Sequence, residues 1–226
     1  MIKFKNVSKS YSPTATVLND VSFEIKAGEF VSIVGKSGAG KTTLIRLLLG
    51  LEEPTSGEIT FNETNIFHTK RSQLQKLRQK IGVVYQDYKL LENKTVFENV
   101  AYVMAVTGEE DEKIEKEVSK ILEITGLSEK RNNFPSELSG GEQQRVAVAR
   151  AAVNQPDVVI ADEPTGNLDP YNTYEVVDLL KKINALGKTV ILASHDKEVI
   201  NKLGKRVITL EDGKIMRDEE AGKFIL

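Results

Sequence analysis

The hydrophobic positions change period along the chain. Residues 2–7 (IKFKNV) alternate apolar and polar, and residues 21–25 (VSFEI) alternate again, which predicts two strands with one buried face each. Ala27-Gly28 then turns the chain into residues 30–34 (FVSIV), an apolar run of strand length. A glycine-rich loop follows, and residues 43–49 (TLIRLLL) have helical character. Within 113–124, Ile114, Val118, Ile121 and Leu122 recur at i, i+4, i+7 and i+8, an amphipathic helix with charge on its other face. Strand signals are few from about Asp87 to Pro156, so this stretch reads as a mostly helical insert. Alternation then returns, with a buried strand at 158–161, a helix near 174–186 and a strand at 190–193. Residues 207–210 and the turn Asp212-Gly213 finish the pattern. Strands alternating with helices predict an α/β fold with a parallel sheet covered on both faces.

Composition narrows the function classes. At 226 residues the chain suits one domain, or one domain with a subdomain. Lys and Arg total 31 against 33 Asp and Glu, a net charge of −2, which argues against a dedicated nucleic-acid binder. The absence of Cys removes disulfides, thiolate metal sites and Cys nucleophiles, and fits a reducing compartment. With 2 His in the chain, a histidine-based metal site is improbable, and His68 in HTKRSQ reads as solvated surface. The longest apolar run, 100–106 (VAYVMAV), is far short of the roughly 20 residues of a spanning helix. The start, MIKFKNVSKSY, has no apolar signal core. A membrane role is therefore expected only through a partner.

Three motifs carry chemistry. Gly35-Lys36-Ser37-Gly38-Ala39-Gly40-Lys41-Thr42 fits G-x-x-x-x-G-K-[ST] between a predicted strand and helix. Glycines let the backbone wrap phosphates while successive N–H groups and the helix start supply positive potential. Lys41 is expected on the β- and γ-phosphates, the Thr42 hydroxyl on Mg²⁺, and Thr43 within the same nucleotide-binding stretch. Val158-Val159-Ile160-Ala161-Asp162-Glu163 is a buried strand ending in two carboxylates, placed at the C-terminal sheet edge where ligands bind. Asp162 is expected in the Mg²⁺ shell and Glu163 as general base for water attacking the γ-phosphate. Leu138-Ser139-Gly140-Gly141-Glu142-Gln143 precedes a helix-like QRVAVARAA and reads as a second anion-binding start; taken in isolation it also fits a helix cap with Ser139 as the capping residue. One triphosphate does not need two such cradles in one subunit, so the second is expected to serve a nucleotide held by another copy.

These motifs, in this order, resemble the nucleotide-binding subunits of ABC (ATP-binding cassette) systems over essentially the whole chain. The resemblance implies a P-loop NTPase (RecA-like) core with a mostly parallel sheet, an N-terminal antiparallel β part and an α-helical subdomain. It places the ATP-binding core at 1–86 and 157–226 and the helical signature subdomain at 87–156. It implies a homodimer that sandwiches ATP and Mg²⁺, each site pairing one P-loop with the other subunit's Ser139, Gly140, Gly141 and Glu142. Tyr11 resembles the aromatic that stacks on adenine, against the alternative of a half-buried strand-end ring. Gln86 resembles the glutamine that contacts Mg²⁺ and the attacking water. Asn167-Leu168-Asp169 resembles the loop crossing the dimer interface. His195 resembles the switch histidine on the γ-phosphate, against a helix-capping or core role. The implied activity is hydrolysis of ATP to ADP and phosphate.

Short length excludes the coiled-coil and tandem-cassette relatives, and no Asn-Lys-x-Asp motif supports a GTPase. Ala161-Asp162-Glu163-Pro164-Thr165-Gly166-Asn167-Leu168-Asp169-Pro170 resembles the lipoprotein-release, macrolide-export and cell-division subgroup. Gln86-Asp87-Tyr88-Lys89-Leu90-Leu91 and Thr95-Val96-Phe97-Glu98-Asn99-Val100-Ala101 point within it to the cell-division ATPases. Tyr85 and Glu92 depart from the subgroup pattern, where Phe and Pro are usual. The resemblance implies a peripheral protein on the cytoplasmic face of the membrane, docked on an integral membrane protein of the FtsX type and controlling peptidoglycan hydrolases. The energy module of a lipoprotein or macrolide transporter is the alternative. Tyr88, Leu90 and Leu91 are either anchors for a partner helix or simply core.

Overall fold

A computed structural model describes residues 1–12 and 14–224. In chain order the elements are β1 (Ile2–Ser12), β2 (Ala15–Ile25), β3 (Phe30–Val34), α1 (Lys41–Leu48), β4 (Ser56–Phe61), β5 (Thr64–Asn65) and α2 (Arg71–Arg78). Then come β6 (Ile81–Tyr85), α3 (Val96–Val106), α4 (Asp111–Ile124), α5 (Gly140–Ala152), β7 (Val158–Asp162) and α6 (Pro170–Ala185). The chain closes with β8 (Thr189–Ser194), α7 (Lys197–Leu203), β9 (Arg206–Glu211) and β10 (Lys214–Glu219). They pack as two units, one of Met1–Arg78 with the chain from Thr189 onward, the other of Gln79–Lys188. Among the described residues no helix is long and apolar enough to cross a membrane.

The first unit holds an antiparallel sheet, ordered β2-β1-β4-β5, and four strands ordered β10-β9-β3-β8. Ile2 and Phe4 point inward while Lys3 and Lys5 point out, as alternation demands. Asn6, at φ +50°, then lies where the register with β2 shifts, so Val7 is the next buried residue. The bulge is held by the Asn6 N–H donating to Ser22 Oγ at 2.8 Å and its amide donating to Asp20 at 2.9 Å. Gly57 is needed opposite, because a Cβ there would lie 2.3 Å from the Asn6 carbonyl oxygen. Phe4 and Phe23 stack with centroids 4.6 Å apart.

All of β3 is buried, because it runs parallel to β8 on one side and β9 on the other. Its C-terminal end delivers Gly35. Helix α1 buries Leu44, Ile45, Leu47 and Leu48 and leaves Thr42 and Arg46 exposed.

In the second unit β6 runs parallel to β7 in register from Ile81↔Val158 to Tyr85↔Asp162. Helix α5 lies close on β6: a Cβ at Gly82 would fall 2.0 Å from the Ala151 carbonyl oxygen. Gln144, wholly buried, donates to the Tyr85 carbonyl at 3.3 Å. A separate core joins α3, α4 and α5 through Val100, Met104, Val118, Leu122, Val146 and Ala149. The predicted stripe of α4 faces it, with Ile114, Val118 and Leu122 buried and Ile121 packed at its edge. The described residues 87–156 hold helices and turns without a strand, and they fall within the second unit.

Candidate nucleotide site

The phosphate loop is shaped by what surrounds it. A Cβ at Gly35 would lie 2.3 Å from the Leu210 carbonyl oxygen, and one at Gly40 would lie 2.7 Å from Leu18 Cδ2. Lys36, Ser37 and Gly38 are exposed while Ala39 and Gly40 are buried, so the loop is anchored at its ends and open along its crest. Gly40 caps α1 at φ +107° with no side-chain hydrogen bond, and the first turn carries no acidic residue. No side-chain cap and no first-turn carboxylate therefore compete with an anion for the helix start and the positive end of its dipole. Lys41 is 7% exposed and donates to the Gly35 and Lys36 carbonyls at 2.8 and 3.3 Å, which aims its ammonium back along the loop. Thr42 is exposed on the first turn and Thr43 is half-buried. Backbone N–H groups at a helix start beside a lysine ammonium are the chemistry that a polyphosphate requires.

Tyr11, next to last in β1, is 54% exposed, with its hydroxyl donating to the Glu52 carboxylate. His195 follows β8 and is exposed, as is His68. The cap of α7 is Asp196 instead, whose carboxylate accepts from the Glu198 and Val199 N–H groups at 2.9 and 3.1 Å.

In the second unit Asp162 and Glu163 are half-buried at the end of β7. Glu163 takes φ +50°, a left-handed backbone that costs a non-glycine residue on the order of 1 kcal/mol or more and persists where the surroundings enforce it. Gln86 leaves the neighbouring strand and meets the loop beyond β7. Its amide donates to Asn167 Oδ1 at 3.3 Å, and a Cβ on Gly166 would lie 2.8 Å from its Nε2. Burial, and then the Asp162 carboxylate, push the Tyr85 phenol up.

The Ser139 segment starts α5 with a complete capping box. The Ser139 hydroxyl accepts from the Glu142 N–H at 3.3 Å, and the Glu142 carboxylate accepts from the Ser139 N–H at 2.8 Å. That second bond is the main reason the Glu142 carboxyl is held below its ordinary range. Ser139 and Gly140 are exposed, whereas Gly141 is buried against Asn172, whose Oδ1 would be 1.8 Å from a Cβ there. Asn172 also donates from its side chain to Asp169, the N-cap of α6, so one side chain links the Ser139 segment to the Asp169 loop.

Beyond Gln86 the chain is tightly pinned. Tyr88 and Lys89 both adopt left-handed φ values, +57° and +51°, and their carbonyls accept from Arg150 at 2.7 and 2.6 Å. Asn99, wholly buried, donates to the Leu91, Lys94 and Thr95 carbonyls at 3.0–3.1 Å. Leu90 packs against the helical core, Leu91 is half-buried, and the Tyr88 hydroxyl lies beside Gly140. Asn99, Arg150 and Asn172 hold these segments through contacts that no motif in the sequence announces. Polar residues in apolar helical stretches such as RVAVARAA are the signal that marks two of them.

The model of the ABC transporter family matches residues 18–166. The "Cell division ATP-binding protein FtsE" of Bacillus subtilis is 50% identical over 99% of this chain and 98% of its own. The protein of that name from Mycobacterium tuberculosis is 46% identical over 99% and 98%. Among solved structures, the dimeric post-hydrolysis state of the ATP-binding cassette MJ0796 bound to ADP and Pi superposes with a TM-score of 0.88. It is 38% identical, covering 99% of this chain and 100% of that one. These likenesses place the chain in the ABC family, as an ATPase subunit of its FtsE cell-division group.

Proposed function

We propose that the chain acts as an ATP-sandwich homodimer docked on an FtsX-type integral membrane protein at the cytoplasmic face, and that ATP cycling there controls peptidoglycan hydrolases. The observation that carries the dimer is the exposed Ser139-Gly140 start of α5 in a chain that already has a complete phosphate loop. The dimeric cassette structures, similar over nearly the full chain, support it. The cell-division names of the relatives support the biological setting.

In this reading Tyr11 stacks on adenine and the loop 35–43 wraps the phosphates, with Lys41 on the β- and γ-oxygens. Glu163 takes a proton from the attacking water, Gln86 orients that water, and His195 donates to a γ-phosphate oxygen. Ser139, Gly141 and Asp169 act on the nucleotide of the other copy. Thr42, Gln86 and Asp162 offer hydroxyl, amide and carboxylate oxygens, the hard donors that suit Mg²⁺. When bound, that ion neutralises charge on the phosphate oxygens. The pinned segment after Gln86, with Tyr88 and Leu91, offers the partner a rigid surface.

A tagged Glu163→Gln protein tests this. Turnover should fall roughly 10²- to 10⁴-fold with ATP binding retained, and ATP should trap a dimer by gel filtration. Incubated with solubilised membranes of its own organism, the trapped dimer should retain an FtsX-type protein carrying a hydrolase or its activator. Wild-type turnover would remove Glu163 from its role. Retention of a lipoprotein or efflux conduit instead would move the chain to a transporter.

A further inference from the structure

Around Tyr11 lies a cluster of charged side chains. Glu52, in the segment after α1, has a side chain only 18% exposed. One of its oxygens accepts from the Tyr11 hydroxyl and the other from Arg46 Nη1 at 2.9 Å. The Lys9 ammonium stands 3.9 Å from the same carboxylate, donates to the Glu53 carbonyl at 2.7 Å, and lies 5.0 Å from the centroid of the Tyr11 ring. The phenol is thus tethered at its hydroxyl and seated on a cation, yet Tyr11 remains 54% exposed. Arg46 sits one helical turn beyond Thr42 on the exposed side of α1. The ring is therefore fixed beside the helix whose first turn carries the phosphate cradle.

We propose that Glu52, supported by Arg46 and Lys9, is a positioning residue that presets the Tyr11 ring for stacking on the nucleotide base. This rests on Tyr11 being the base platform, as proposed above. An unbraced tyrosine at a strand end loses rotamer freedom when a base lands on it, and a preset ring has already lost it. A cation on one face adds an attraction that holds the ring in place. The tyrosine hydroxyl, followed by Arg46 and Lys9, keeps the Glu52 carboxyl below its ordinary range, so the brace stays ionised at neutral pH.

Equilibrium binding of ATP and of inorganic tripolyphosphate, which has the phosphates without the base, separates the possibilities. Glu52→Ala should bind ATP roughly two- to tenfold more weakly and tripolyphosphate unchanged. Tyr11→Phe keeps the ring and loses only the tethered hydroxyl, so it should reproduce that loss even if Glu52→Ala folds poorly. Combining Glu52→Ala with Tyr11→Ala should be no worse than Tyr11→Ala alone. Equal losses for both ligands, or additive losses in the double variant, would overturn the brace. A Tyr11→Ala protein that binds ATP like wild type would overturn the platform and the brace together. A loss in Tyr11→Ala alone, with Glu52→Ala and Tyr11→Phe unaffected, would overturn the brace and leave the platform standing.

Discussion

Two glycine-rich segments run into the start of a helix in this chain, and they are finished in opposite ways. Gly40 leaves the start of α1 without any side-chain cap and without an acidic residue, and adds the buried Lys41. Ser139 closes the start of α5 with its own hydroxyl and with the Glu142 carboxylate, an anion in the first turn. The first arrangement offers an incoming phosphate backbone donors that no side chain caps, and net positive charge. The second has spent donors on itself and added a negative charge, so it is a poor phosphate site standing alone. It suits a surface that contributes a few donors to a phosphate already held by something else.

Lys41→Ala gives the largest contrast. Losing a charge-assisted contact should weaken ATP binding roughly 10- to 150-fold by titration calorimetry. The corresponding change in the other segment, Ser139→Ala, should leave ATP affinity of the monomer untouched and cost about 1 kcal/mol of stability through the lost cap. In the proposed dimer its turnover should also fall, since the partner's nucleotide would lose a donor. If Ser139→Ala weakened monomer binding as Lys41→Ala does, the two segments would not differ in the way described.

The smallest effect is one of pH. The Glu142 carboxyl is held below its ordinary value near 4.5, chiefly by the Ser139 N–H. A depressed carboxyl stabilises the fold fully above its unfolded pKa, and that stability is lost as pH falls through the folded value. Glu142→Gln should therefore flatten the acid limb of the stability curve below about pH 4.5 and leave the phosphate loop unaltered. Thermal melts across that range would show an unchanged limb if the carboxylate were not part of the cap.

Legibility in the sequence followed chain separation. The strand at Phe30–Val34, the loop after it and the carboxylates ending β7 were all readable, because each is a local pattern whose backbone needs are met by neighbouring residues. Strand β6 was not. Its residues, IGVVY, are a short run whose glycine answers to the Ala151 carbonyl of α5. Helix α3 lies within the stretch that reads as mostly helical, but its own bounds did not show, although Thr95 and Glu98 form its capping box. Helix α2 buries only Leu77 and so has no apolar stripe to read. The start of α6 at Pro170, ahead of the expected 174, follows from Asp169 accepting from the Asn172 N–H at 3.0 Å.

What the sequence settled by itself was the local form of contiguous segments: a strand leading into a glycine-rich loop and a helix, a second strand ending in Asp162 and Glu163, and a Ser-Gly-Gly helix start. Backbone conformation and hydrogen bonding over a few residues suffice for these, and the residue types record them directly. Only the tertiary structure decided which side chains hold the parts in place. Glu52 reaches Tyr11 across 41 residues, Arg150 reaches the Tyr88 carbonyl across 62, and Asn172 fills the space left by Gly141. Such braces depend on distant elements packing side by side, and a buried polar group declares its partner only once that packing removes water.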